Sequence, residues 1–97
     1  MAAPINSHRS QSDLLAALAS PVRLAIMDLL GKEGELSVGA VATRLNLTTA
    51  NASEHLMVLR RQGIVSARKA GTNVRCRIAN PVVPKALDLL DREEVPQ

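Results

Sequence analysis

The stretch from Leu45 to Ile64, LNLTTANASEHLMVLRRQGI, constrains this chain more than any other, because it reads as one helix with two unlike faces and two marked ends. Ala52, Leu56 and Leu59 recur at i, i+4 and i+7 and make an apolar stripe, while Asn51, Ser53, Glu54 and Arg61 fall on other sides. Thr48 is placed to cap the first turn, its hydroxyl accepting from a free backbone N–H, and Gly63 can take the left-handed conformation that stops a helix. Thr49, Asn51 and Ser53 crowd the N-terminal half; Arg60 and Arg61 stand in the C-terminal half. Short polar side chains in front of guanidiniums suit a helix whose N-terminus enters a DNA major groove while its far end meets phosphate.

The flanking periodicities place this helix in a larger plan. Residues 1–11 are polar or small without a repeat and read as a flexible arm. Ser12 can cap a short helix carrying Leu14, Leu15 and Leu18, too short to be stable unless its leucines dock. Ser20-Pro21 is a restart, with Ser as N-cap and Pro where its missing N–H costs nothing. That second helix runs to about Leu30, buries Val22, Ile26, Leu29 and Leu30, and is closed by Gly31 and Gly34. Ser37 opens a third helix on Val38, Val41, Ala42 and Leu45, and Asn46 tolerates the turn that follows. Two helices so closely joined, the second polar at its start, make a helix-turn-helix.

Beyond Gly63 the period drops to two: Val65 and Ala67 against Ser66 and Arg68, then Val74, Cys76 and Ile78 against Arg75 and Arg77. These are two strands of a hairpin, joined over Lys69-Ala70-Gly71-Thr72-Asn73 with Gly71 supplying a positive φ. Asn80-Pro81 starts a last helix with Val83, Ala86, Leu87 and Leu90 on its apolar side, although Pro84 leaves two starts open. The tail Arg92 to Gln97 is charged and is expected to fray, which leaves one domain over residues 12–91. The expected class is mostly α with a two-stranded β-hairpin, four helices preceding the hairpin and one following it.

With 97 residues and no Phe, Tyr or Trp, such a domain buries only roughly 60–65% of its unfolded surface. A second copy of the chain is the expected source of the missing burial. The net charge of +3 is mild, but no acid interrupts the run between Glu54 and Asp88, where Arg60, Arg61, Arg68, Lys69, Arg75, Arg77 and Lys85 lie. The single cysteine, Cys76, excludes an intramolecular disulfide. No apolar run approaches the roughly 18–20 residues of a membrane span and none resembles a secretory leader, so a soluble cytoplasmic protein with no membrane partner is expected. Absence of a nucleophile–base pair, a phosphate loop or hydrolase metal spacing argues against an enzyme.

The strings ALASPVRLAIMDLL, ELSVGAVATRLNL, ANASEHLMVLRRQGIV and RKAGTNVRCRI, in that order and with short gaps, resemble the ArsR family of small dimeric winged helix-turn-helix repressors. The likeness covers roughly Leu14 to Leu90, and its most specific part is Ser53-x-His55-Leu56-x-x-Leu59 followed by Gly63 and the hairpin. It implies a homodimer built from the first and last helices, here through Leu14, Leu15, Leu18, Val83, Ala86, Leu87 and Leu90. It also implies that the two fourth helices enter successive major grooves of a palindromic operator, and that a metal, metalloid or oxidant releases the DNA. The chain departs from the family's third-helix motif ELCVCDL, with Ser37 and Gly39 where the cysteines stand, so soft metals find no thiolate chelate. The alternative Asp and His site on paired last helices is altered too, since Val82 to Gln97 offers Asp88, Asp91, Glu93 and Glu94 without a His.

Thr49, Asn51 and Ser53, with the capping Thr48, are the expected base-facing residues, because Asn pairs bidentately with adenine and hydroxyls bond several bases. Glu54 either accepts from cytosine N4 or belongs to an ion pair within the protein. Arg60, Arg68, Lys69, Thr72 and Arg75 are the expected phosphate or minor-groove contacts, against the reading of an ordinary charged surface. His55 is expected to be a hydrogen-bonded structural residue and Cys76 a small buried hydrophobe. His8 could join carboxylates of a last helix around nickel, cobalt or zinc as an effector, or have no role. The resulting expectation is an effector-responsive, homodimeric DNA-binding repressor. Its rivals are a regulator without its own sensor, controlled by a partner protein, and a winged helix used only for protein interaction.

Overall fold

The structure, a computed structural model, describes residues 5–92. A 3-10 turn, Ile5–His8, leads into α1 (Arg9–Leu18), followed by α2 (Pro21–Glu33), β1 (Glu35–Ser37), α3 (Val38–Leu45), α4 (Thr49–Arg61), β2 (Val65–Ala70), β3 (Asn73–Ile78) and α5 (Val82–Arg92). The five helices and the hairpin occur in the expected order, and residues 93–97 of the expected frayed tail lie outside the described residues.

Local chemistry sets most of the boundaries. The Ser20, Ser37 and Thr48 side chains each accept from the backbone N–H three residues on, at 3.3, 3.0 and 3.0 Å, and so start α2, α3 and α4. Asn46 takes φ 55°, and the Leu47 N–H returns to the Ala42 carbonyl at 2.8 Å, which closes α3 and aims the chain into α4. Gly63, at φ 68°, ends α4 and lets the Ile64 N–H reach the Leu59 carbonyl at 3.0 Å. Asn80 settles the start of α5 by accepting from the Val82 N–H at 3.1 Å, with Pro84 inside the first turn, where it blocks no helical bond.

Four expectations are corrected. The chain is helical from Arg9, after the 3-10 turn, rather than from Ser12, so residues 5–11 of the expected arm are ordered into these turns and Ser12 caps nothing, while residues 1–4 of it lie outside the described residues. α2 continues through Gly31 to Glu33, because a glycine within a helix only weakens it; Gly34, at φ 86°, is the true stop. The hairpin turn is only Gly71-Thr72, since Ala70 still pairs with Asn73, and a positive φ at Gly71 alone is the pattern of a type II′ turn. Finally, the hairpin is not two-stranded in isolation. The segment ELS after Gly34 forms β1, which pairs antiparallel with β3 and makes a three-stranded sheet in the order β1-β3-β2.

Ile26, Met27 and Leu30 of α2, Val41 of α3, Leu59 of α4, and Ile64, Val65 and Cys76 at the sheet are all essentially inaccessible, so the core lies where α2, α3, α4 and the sheet meet. Burying each such aliphatic side chain contributes roughly 1.5–3 kcal/mol. Cys76 is a core residue as expected, and its burial pushes the thiol above its ordinary range despite the opposing charge of Arg60.

Candidate nucleic-acid interface

α4 is held by Ala52, Leu56 and Leu59, which face the core, so its other side is turned outward. Thr49, Asn51, Ser53, Glu54 and Arg60 are all exposed there, as is Thr48 just before the helix. Glu54 has no ion-pair partner among the described residues, so the intra-protein pair weighed for it is not formed. Met57, 48% exposed, lies on the same outward side, with Arg61 reaching back to its sulfur at 3.3 Å. Its place one turn beyond Ser53 was available in the sequence as an i, i+4 relation; its apolar character concealed it.

His55 is half-buried behind this face. The Arg23 guanidinium bonds its Nδ1 through Nη1 at 3.1 Å and the Ala17 carbonyl through Nε. A guanidinium only donates, so Nδ1 is the acceptor in this contact. One arginine therefore ties the end of α1 and the start of α2 to the middle of α4, and the structural expectation for His55 is met.

The register divides the hairpin's cations between two faces. Val65 with Ile78, Ala67 with Cys76 and Lys69 with Val74 share the side that faces the core, with Lys69 and Val74 exposed toward the tip. Ser66, Arg68, Arg75 and Arg77 share the outer face, and so do Glu35 and Ser37 of β1. There Arg68 Nη2 and Arg75 Nε both donate to Glu35 Oε1, at 2.7 and 3.0 Å. Burial raises the Glu35 carboxyl, but the hydrogen bonds and charges of Arg68 and Arg75 prevail and hold it below its ordinary value. Lys69, Thr72 and Arg77 are exposed, and neither of the two cations has an ion pair among the described residues. The acid-free run read along the chain thus misses an acid supplied across the sheet, 33 residues before Arg68.

The dimer candidates divide as well. Leu18 and Val83 are buried in the chain's own core, and Leu14 and Leu87 are partly covered. Leu15, Ala86 and Leu90 are exposed, and the sequence reading passed over Val82 and Leu89, which are exposed beside them.

The donor set does not fit the family's metal chemistry. The Ser37 hydroxyl is engaged in capping α3, and Gly39 has no side chain to supply a ligand atom. His8 bonds Gln11 at 3.1 Å, and no group of three metal-ligating side chains occurs among the described residues. Nor is any single helix among them long and apolar enough to cross a membrane.

Comparison with known proteins agrees with this geometry. A family profile described as a helix-turn-helix domain matches residues 18–67. The chain is 39% identical over 79 residues to the transcriptional activator HlyU of Vibrio cholerae, covering 81% of this chain and 72% of that protein. It is 35% identical over 78 residues to the arsenical resistance operon repressor of Escherichia coli, covering 80% and 67%. The homodimeric winged helix-turn-helix DNA-binding domain Mb0332 of Mycobacterium bovis superposes with a TM-score of 0.79 at 34% identity, covering 94% of this chain and 87% of that one.

Proposed function

The chain belongs to the ArsR family of winged helix-turn-helix transcriptional regulators, DNA-binding proteins rather than enzymes, and we propose that it acts as a homodimeric repressor on a palindromic operator. The observation that carries this reading is the outward face of α4, where Thr49, Asn51 and Ser53 stand exposed at a capped helix N-terminus anchored from behind by three buried residues. In this reading those three side chains, with Met57 beside them, meet base edges. Arg60, Lys69 and Thr72 meet the backbone. Glu54 is free to accept from cytosine N4. The exposed leucines of α1 and α5 support pairing of two chains, which sets two α4 helices one helical turn of DNA apart. A cytoplasmic location follows from this role.

Regulation is proposed to act through the dimer geometry: any effector preferring a dimer with misplaced α4 helices weakens DNA binding by the same coupling energy. Ser37 and Gly39 argue against a thiolate-bound metal as that effector, and the same observation favours control by a partner protein as the second reading. Titration of the chain's own promoter DNA and of random DNA, with and without divalent metals, tests the whole. Promoter preference is expected, and Asn51→Ala should reduce it by about 1–3 kcal/mol. Equal, salt-insensitive binding to both DNAs would sink the proposal.

A further inference from the structure

The outer face of the sheet contains a charge arrangement that DNA binding alone does not account for. Arg68 and Arg75 are directly paired across β2 and β3, a like-charge juxtaposition that is unfavourable unless something neutralises it. Glu35 does so from the third strand, one oxygen accepting from both guanidiniums. Beside it lies a hollow of about 190 Å³ lined by Glu35, Ser66, Ala67, Arg68, Arg75 and Arg77. A carboxylate oxygen and a phosphate oxygen present a guanidinium with the same kind of acceptor. The geometry points to Glu35 as a specificity-determining residue, its carboxylate occupying the place on Arg68 and Arg75 that a DNA phosphate would otherwise take.

Two physical points give this consequence. Binding to DNA of any sequence is nearly all electrostatic, so every cation able to reach a phosphate adds to it. Operator binding is instead oriented by α4 in the groove, and Arg68 and Arg75 lie on the sheet face opposite to the one that packs toward α4. Removing the Glu35 charge therefore strengthens binding to random DNA more than binding to operator. Discrimination falls even though no base-facing residue has changed. This inference rests on the DNA-binding reading above.

The experiment compares wild type and Glu35→Gln on operator and random duplexes across a salt series. Glu35→Gln is expected to bind random DNA about tenfold more tightly at low salt, with a log–log slope steeper by about 1–2, the value of one or two additional phosphate contacts. Operator affinity should change by less than half that factor. Arg68→Ala should reverse the gain when added to Glu35→Gln, yet alter random-DNA affinity less than twofold in wild type, where Glu35 already holds the guanidinium away from phosphate. Arg77→Ala, which removes an unpaired cation from the same face, should weaken random-DNA binding in wild type. That second comparison holds even if Glu35→Gln melts early. Unchanged slope and affinity in a folded Glu35→Gln protein, or equal losses for Arg68→Ala and Arg77→Ala, overturn the inference and leave the DNA-binding reading standing. A wild type that binds neither duplex overturns that reading instead.

Discussion

Two pairs of helices carry leucines in this chain and treat them in opposite ways. In α2 and α4, Ile26, Met27, Leu30, Leu56 and Leu59 are each no more than 4% exposed, while Leu15 of α1 and Val82, Leu89 and Leu90 of α5 are 63, 66, 62 and 72% exposed. The inner pair makes the fold. The outer pair is anchored to it by few residues, chiefly Ala17, Leu18 and Val83, and leaves the rest of its apolar surface unmatched within one chain. A small aromatic-free domain has little other apolar surface with which to hold a partner.

Cutting one residue from each pair should separate them most widely. Leu59→Ala should cost about 2–5 kcal/mol in urea unfolding, because a closely packed site collapses poorly around the lost atoms. Leu90→Ala, measured at concentrations where chains are single, should stay within about 0.5 kcal/mol of wild type. Comparable losses would mean that α5 is as much a part of the private core as α4.

Charge placed on the outer pair tests the other half. Leu89→Glu combined with Leu90→Glu should leave the helical content of the single chain intact, yet raise the dimer dissociation constant at least about 30-fold, the effect of losing roughly 2 kcal/mol at an interface centre. Circular dichroism reads the first and sedimentation equilibrium the second, and operator affinity should fall with it, since half-sites bound by separate chains lose their fixed spacing. A pair of glutamates that leaves sedimentation unchanged would place the contact between chains elsewhere.

A smaller effect belongs to the turn between α3 and α4. Thr48→Ala removes the acceptor for the Asn51 N–H and should cost about 1 kcal/mol, in thermal unfolding and in operator affinity together, because the frayed turn is the one that carries Thr49 and Asn51. Thr48→Ser should restore both. This part of the molecule was legible from the sequence for a physical reason: a cap, a left-handed Asn46 and a helix-stopping Gly63 are each settled by residues within a few positions of themselves. What was not legible lies between distant segments. The three residues ELS show no alternation long enough to mark a strand, and they become β1 only because β3 presents an edge about 40 residues later. By the same route Glu35 escaped notice as the partner of Arg68 and Arg75. Leucine spacing likewise gave the apolar side of α5 but could not tell Val83, which enters the core, from Leu90, which does not.

The smallest expected effect comes from that unforeseen pairing, and its sign can be worked out. Glu35 is held below its ordinary value, so the folded protein binds this proton more weakly than the unfolded chain does. Its contribution to stability is therefore complete above the unfolded value, about 4.3, and is lost as the pH falls through the lower folded value. The amide of Glu35→Gln imitates the protonated carboxyl at every pH. The stability of wild type over Glu35→Gln should accordingly be level from neutral pH down to about 5, and shrink toward zero in more acid solution. The plateau should be small, as for any ion pair at a surface, and smaller still in high salt. An advantage that grows on acidification would mean that burial, not the two arginines, governs Glu35. The outer face of the sheet would then belong with the inner helices, as part of what holds the fold, rather than with the surfaces kept for DNA and a second chain.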